Sequence, residues 1–242
     1  MRPLAPAALL VALLAAGMPS PEAGAAGVLP VEAIGRLFVN GRFVCTAFVI
    51  RSERVATVDG EERPTYRNRV VTAGHCVTPA LSGGQPTFLV APRGAVPGQA
   101  HRTHPLVPAG FSGGRPWGYD VGVFVYWTSH PVPILEPLFN HPLRDGEWLL
   151  AAGFSRGVLS YSVGRYQSTT EHDLVAVDAL LSQGSSGGPV VILGTHKVIG
   201  IVVEGTLKQP AASDGPCIFG GCATERPYLA VPIDCILRVM RW

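Results

Sequence analysis

Residues 183–190 read Gln183-Gly184-Ser185-Ser186-Gly187-Gly188-Pro189-Val190, and the residues after the second serine decide the fold. Gly184 to Gly188 fits the G-x-S-x-G pattern of a nucleophile elbow, in which a strand turns sharply into a helix. That arrangement needs a helix directly after the serine, then an acid and a histidine further along. Here Pro189 opens the β-branched run Val190-Val191-Ile192, and the last histidine, His196, comes with no acid in between. The elbow fails, and the serine loop must lead into a strand.

Outward from that loop the chain keeps reading as strands. Val190–Leu193 and Val198–Val203 flank a Gly194-Thr195-His196-Lys197 turn, and Trp148–Phe154, Gly157–Thr169 and Leu174–Leu181 precede them. Upstream, Val121–Trp127 is a strongly apolar strand and Thr87–Ala91 a weaker one. Val70-Val71-Thr72-Ala73 is a short buried strand that delivers Gly74-His75-Cys76. Ala33–Ile50 reads as two strands around Asn40-Gly41, a pair suited to the positive-φ hairpin turn that matches strand twist. Arg51–Arg69 carries four acids and five arginines and reads as a solvated loop with room for a hairpin. Pro131, Pro133, Pro137 and Pro142 bar regular structure in the connection Val132–His141. Only the tail, Ile233–Trp242, has helical spacing, with Ile233, Ile236, Leu237 and Met240 on one face. Many short strands with turn signals between them give an all-β fold, and the proline-rich bridge suggests two barrels in series.

Composition agrees. The chain has 242 residues, of which 47% are hydrophobic and 15% charged, enough apolar material for a sizeable core. Its 29 glycines and 22 prolines suit strands and turns. A net charge of +2 with no basic block leaves no electrostatic footprint for a nucleic acid. The N-terminus reads as a signal peptide over residues 1–25: Arg2, an apolar stretch Leu4–Met18 shorter than the ~20 residues that span a bilayer, then Ala23-Gly24-Ala25 as an A-x-A cleavage site. The mature chain, residues 26–242, is expected to be secreted and free of the membrane. That compartment permits disulfides. Five cysteines, Cys45, Cys76, Cys217, Cys222 and Cys235, leave at least one without an intramolecular partner. Their spacings contain no paired C-x-x-C units, so they suggest neither zinc nor redox chemistry. His101 and His104 have a metal-like spacing but sit in the Gly/Pro-rich stretch Pro79–Trp117, where solvated histidines are expected; no metal or organic cofactor is implied.

Three segments carry chemistry: Val71-Thr72-Ala73-Gly74-His75-Cys76, Tyr119-Asp120-Val121-Gly122-Val123, and the serine loop. Amide hydrolysis needs an activated hydroxyl, an imidazole that takes its proton and returns it to the leaving amine, a carboxylate that fixes the imidazole, and donors for the developing oxyanion. Each role has one candidate here.

With these motifs the sequence resembles the trypsin-like, chymotrypsin-fold serine peptidases over nearly all of the mature chain. Thr72-Ala73-Gly74-His75-Cys76 and Gly184-x-Ser186-Gly187-Gly188-Pro189-Val190 match that family's two signatures, in its order of His, Asp and Ser. The resemblance implies two six-stranded antiparallel β-barrels, one about 33–130 and one about 145–232, with the active site in the cleft between them and a short C-terminal helix over 233–242. It implies His75 as general base, Asp120 as its orienting carboxylate and Ser186 as nucleophile of a monomeric endopeptidase acting on protein or peptide substrates. The N–H groups of Gly184 and Ser186 would form the oxyanion hole. Leu180, Leu181, Gln183, Val203, Glu204 and Gly205 would line the primary pocket; Leu180 falls where trypsin-type pockets carry their floor Asp, which disfavours cleavage after Arg or Lys. Cys45 and Cys76 match the disulfide beside the catalytic histidine; Cys217–Cys222 is a plausible second bridge that leaves Cys235 over. Ser185 departs from the Asp that digestive members place before the nucleophile, and resembles instead the bacterial glutamyl-endopeptidase and stress-protease branches. Activation through an ion pair with a new N-terminus is then not available. The rival expectation is a binding module that keeps this fold without turnover.

Overall fold

Asn40, at φ 51°, and Gly41, at φ 75°, turn β1 (Ile34–Val39) back onto β2 (Arg42–Val55), in the hairpin expected there. The computed structural model describes residues 29–55, 65–81, 86–90, 120–169, 174–179, 181–204 and 228–239. The expected signal peptide (residues 1–25), His101, His104, Leu180, Gly205, Cys217 and Cys222 lie outside them. β2 continues antiparallel into β3 (Thr65–Thr72), and β4 (Pro86–Val90) and β5 (Gly122–Thr128) flank the pair, giving the order β4-β1-β2-β3-β5. This is the first barrel, with five strands among the described residues.

The bridge allows only β6, Glu136–Pro137. Then β7 (Trp148–Ser155), β8 (Val158–Thr169), β9 (Val175–Val177), β10 (Pro189–Ile192), β11 (Lys197–Glu204) and β12 (Tyr228–Pro232) form the second barrel. Its order is β10-β7-β8-β9-β12-β11, and pairing of β10 with β11 closes it with six strands, while β6 adds in parallel to β11. The fold is therefore the expected chymotrypsin-like one. Besides a single-turn 3₁₀ segment, the described helices are α1 (Gly74–Leu81) and α2 (Cys235–Val239). No described helix is long and apolar enough to cross a membrane.

Four readings need correction. Arg51–Arg69 is not mainly a loop: β2 runs to Val55 and β3 begins at Thr65, with Glu53 opposite Arg67 and Arg51 opposite Arg69. Arg67 donates to Glu53 at 2.9 Å, so the charges pair across the strands instead of marking a coil. A helix, α1, succeeds the His75 strand although it holds Gly74 and Pro79, both poor helix formers. β9 stops at Val177: Asp178 N–H still donates to Arg165 O of β8, and the chain then turns as Ala179 N–H donates back to Val177 O. β12 has no counterpart in the sequence reading.

Two apolar clusters hold the molecule. One lies inside the second barrel around Leu149, Val190, Ile199 and Tyr228. The other is continuous from Ile34, Phe48 and Phe124 of the first barrel to Phe154, Ile201 and Val231 of the second, and takes in Ile236 of α2. Phe48 and Phe124 are fully buried, and truncating either to alanine would cost about 3–5 kcal/mol. Because this core is shared, the loops at the seam inherit their mutual position from packing.

Candidate active site

His75 and Asp120 meet at the edge of the first barrel. β3 ends at Thr72 and hands the chain to α1, whose second residue is His75; Asp120 stands just ahead of β5, the antiparallel neighbour of β3. The pairing of Thr72 with Gly122 thus brings two distant segments together. Asp120 is buried, and its carboxylate takes two hydrogen bonds from one residue: the backbone N–H of His75 on Oδ1 and the ring Nδ1 on Oδ2, each at 2.7 Å. Nδ1 must carry the proton to donate, which leaves Nε2 as the acceptor. The His75 side chain is 41% exposed. A buried anion behind an open imidazole, with the tautomer fixed, is what a proton-accepting histidine requires.

The Ser186 loop belongs to the second barrel and is wedged between β7 and the first barrel. Its amide planes are held one after another. Gln183 O accepts from Arg156 N–H at 2.8 Å, Ser185 N–H donates to Ser182 O at 3.0 Å, and Ser185 O accepts from Gly188 N–H at 2.9 Å. In a trans peptide the C=O and N–H point opposite ways. Tying Gln183 O and Ser185 O behind the loop therefore turns the N–H groups of Gly184 and Ser186 away from those tethers. Gly184 has φ 97°, and a Cβ there would lie 2.5 Å from Phe154 O; Gly187 has φ 82°, and a Cβ would lie 2.2 Å from Thr46 O. Only glycine fits both.

Ser185 is fully buried, and its Oγ lies 2.7 Å from Ser155 Oγ, which also accepts from Ser182 N–H at 3.3 Å. The position that carries an ion-paired aspartate in the digestive branch is occupied by a neutral hydroxyl pair.

Cys45 and Cys76 form the disulfide implied by the resemblance, Cα to Cα 6.0 Å. It joins the residue before Thr46 to the residue after His75. The sulfurs and the His75 ring come within 4.8 Å of one another, but sulfurs bonded to each other offer no thiolate to a metal. Of the remaining expected site residues, Gln183 is exposed on the loop, whereas Leu181 is packed in the second-barrel core and Val203 in the shared core. Glu204 ends β11. Thr46, Ser155 and Arg156 were not legible as site residues; each reaches the loop only through pairing across the fold.

The trypsin-like peptidase domain family matches residues 45–201, which takes in all three motif segments. The chain belongs to that family. Two solved structures of the HtrA-type protease AlgW with a tripeptide, one of them a variant, share its fold at 17% identity, with TM-scores of 0.59 and 0.58. The matches cover 90% and 87% of this chain but only 62% and 60% of theirs, so it spans less than two thirds of their length. No curated protein matches it in sequence.

Proposed function

We propose that the protein is a serine endopeptidase in which His75, Asp120 and Ser186 form the catalytic triad. The observation that carries this reading is the double grip of buried Asp120 on His75, which leaves Nε2 of an exposed imidazole as the acceptor. Ser186 Oγ attacks the substrate carbonyl carbon and gives its proton to His75 Nε2. The oxyanion is met by the N–H groups of Gly184 and Ser186. The C–N bond breaks as His75 returns the proton to the leaving amine, and water, activated by the same imidazole, releases the acyl group and restores Ser186.

Three observations bear on the finer points. With Ser185 neutral and paired to Ser155, the site needs no newly cut N-terminus, so the domain folds directly into its working form. By the family resemblance Leu180 falls where trypsin-type pockets carry their floor Asp, which supports a small or apolar residue before the scissile bond. The N-terminal targeting pattern and the Cys45–Cys76 bond together fit an oxidising compartment outside the cytosol.

Labelling with a sulfonyl fluoride or fluorophosphonate, with intact mass and peptide mapping as readouts, tests the reading. The expected result is one adduct per chain on Ser186, absent in Ser186→Ala, with casein hydrolysis lost in step. Asp120→Asn should lower kcat by about 10⁴-fold through the wrong tautomer. Labelling undiminished in His75→Ala would overturn the triad, and a wild-type protein without label or turnover would leave the silent binding module.

A further inference from the structure

The four peptide planes from 183 to 187 are each tethered, and two of the tethers come from a single residue of the opposite barrel. Thr46 lies in β2, next to the disulfide, and is completely buried. Its N–H donates to Ser186 O at 2.9 Å. Its hydroxyl donates to Gly184 O at 2.7 Å and accepts from Phe154 N–H at 2.7 Å. Thr46 O in turn accepts from Thr72 Oγ1 at 2.7 Å, which ties it to the strand that delivers His75.

We propose that Thr46 is the positioning residue that holds the oxyanion donors in register with the general base, an inference that rests on reading Ser186 as the nucleophile. The hydroxyl has a fixed direction. Because Phe154 N–H occupies its acceptor side, its own proton must go to Gly184 O. That bond and the Ser185 N–H to Ser182 O bond grip the 184–185 plane from opposite ends, and this plane lies between the two that carry the oxyanion N–H groups. The Thr46 bond matters most there because Gly184, at φ 97°, has no Cβ to resist rotation of the neighbouring peptide. The other tethers of the 183–186 stretch are backbone bonds, from Arg156, Ser182 and Gly188 within the second barrel and from the Thr46 N–H across the seam, and they survive substitution. Among the described residues, the Thr46 hydroxyl gives this stretch a short side-chain hydrogen bond to the barrel that holds His75 and Asp120. A chain of short hydrogen bonds thus runs from the His75 strand through Thr72 and Thr46 to the oxyanion loop, and the two halves of the site share one register.

Thr46→Val keeps the shape and removes the hydroxyl; Thr46→Ser keeps the hydroxyl and removes a methyl. With a chromogenic peptide ester and a matched peptide boronate, Thr46→Val should lose about 10²–10³-fold in kcat, the scale of one lost oxyanion donor. KM should stay within about threefold, and boronate affinity should fall in parallel with kcat. Thr46→Ser should restore kcat to within about fivefold of wild type. A folded Thr46→Val that keeps wild-type kcat overturns the proposal, as does one in which kcat falls only in proportion to the folded fraction seen by circular dichroism. Should Thr46→Val not fold, Thr46→Ser decides: kcat and boronate affinity near wild type uphold the proposal, and a folded Ser variant as slow as an oxyanion-hole mutant ends it. A wild-type protein that neither turns over nor labels at Ser186 is a failure of the nucleophile itself, and is recognised before any Thr46 variant is made.

Discussion

Removing the Cys45–Cys76 bond should weaken the protein by an amount that can be worked from its place in the chain. The two cysteines are 31 residues apart. Closing a loop of that length removes about 12 cal/mol/K of entropy from the unfolded chain, or about 3.7 kcal/mol at 25 °C. For a domain of this size about 2–4 °C of melting temperature goes with each kcal/mol, so a Cys45→Ala/Cys76→Ala variant should melt about 7–15 °C below wild type. The alanines also vacate two buried positions, which adds to the loss. Wild-type protein reduced with a phosphine keeps both sulfurs and isolates the loop contribution. Melting monitored by circular dichroism on oxidised, reduced and double-alanine protein gives the three numbers. Because the bond joins the neighbours of Thr46 and His75, kcat at 25 °C should fall in the reduced form while the protein is still folded. A reduced protein that melts within about 2 °C of the oxidised one would refute the loop-entropy reasoning.

Two further expectations concern charge. The Arg67 hydrogen bond holds the Glu53 carboxyl below its ordinary value, against the opposing effect of its burial and with help from the charges of Arg51, Arg67 and Arg69. A carboxyl depressed on folding contributes stability above its unfolded pKa and loses it as pH falls through the folded one. Urea midpoints taken from pH 6 down to pH 3 should therefore drop more steeply for wild type than for Glu53→Gln, with a gap at pH 6 below about 1 kcal/mol because solvent screens the cluster; parallel curves would discount the pair. Ser185→Asp should place a carboxylate at a fully buried site that faces one hydroxyl, Ser155, and no cation among its described contacts. The expected loss is about 3–5 kcal/mol, the scale of an uncompensated buried charge. An Asp variant with wild-type melting and turnover would show that the site tolerates or neutralises the charge.

What the sequence revealed and what it hid divide along sequence separation. The Asn40-Gly41 hairpin and the exclusion of the elbow by Pro189 depend on residues next to one another, and each could be read directly; the bridge prolines hid the short strand β6, which holds Pro137 and pairs with the distant β11. The His75 and Ser186 segments stand out because the family's signatures place particular residue types in a short compass, and the family match spans both. By contrast, Arg51–Arg69 read as a solvated loop with room for a hairpin because its charges are counted along the chain, whereas the fold extends β2 and β3 into it and matches Glu53 with Arg67 across the two strands. Thr46 was invisible for the same reason. In Cys45-Thr46-Ala47 it is an ordinary β-branched strand residue, and its hydroxyl gains meaning only opposite Gly184, 138 positions away. α1 escaped because Gly74 and Pro79 argue locally against a helix, and tertiary packing overrode that preference.

The same division bears on the proposed mechanism, in which the site works without an ion-pair trigger. An aspartate before the nucleophile would be a buried charge, costly until a cation arrives, and so a natural switch. Ser185 places no charge there. Ser155 of β7 holds Ser185, and Thr46 of β2 holds Gly184 and Ser186 on either side of it, so the loop's order is tied to the docking of one barrel against the other. The core that joins Phe48 and Phe124 to Phe154 and Ile201 drives that docking. On this reading site assembly is part of folding, and its stability should track the shared core instead of the state of the N-terminus.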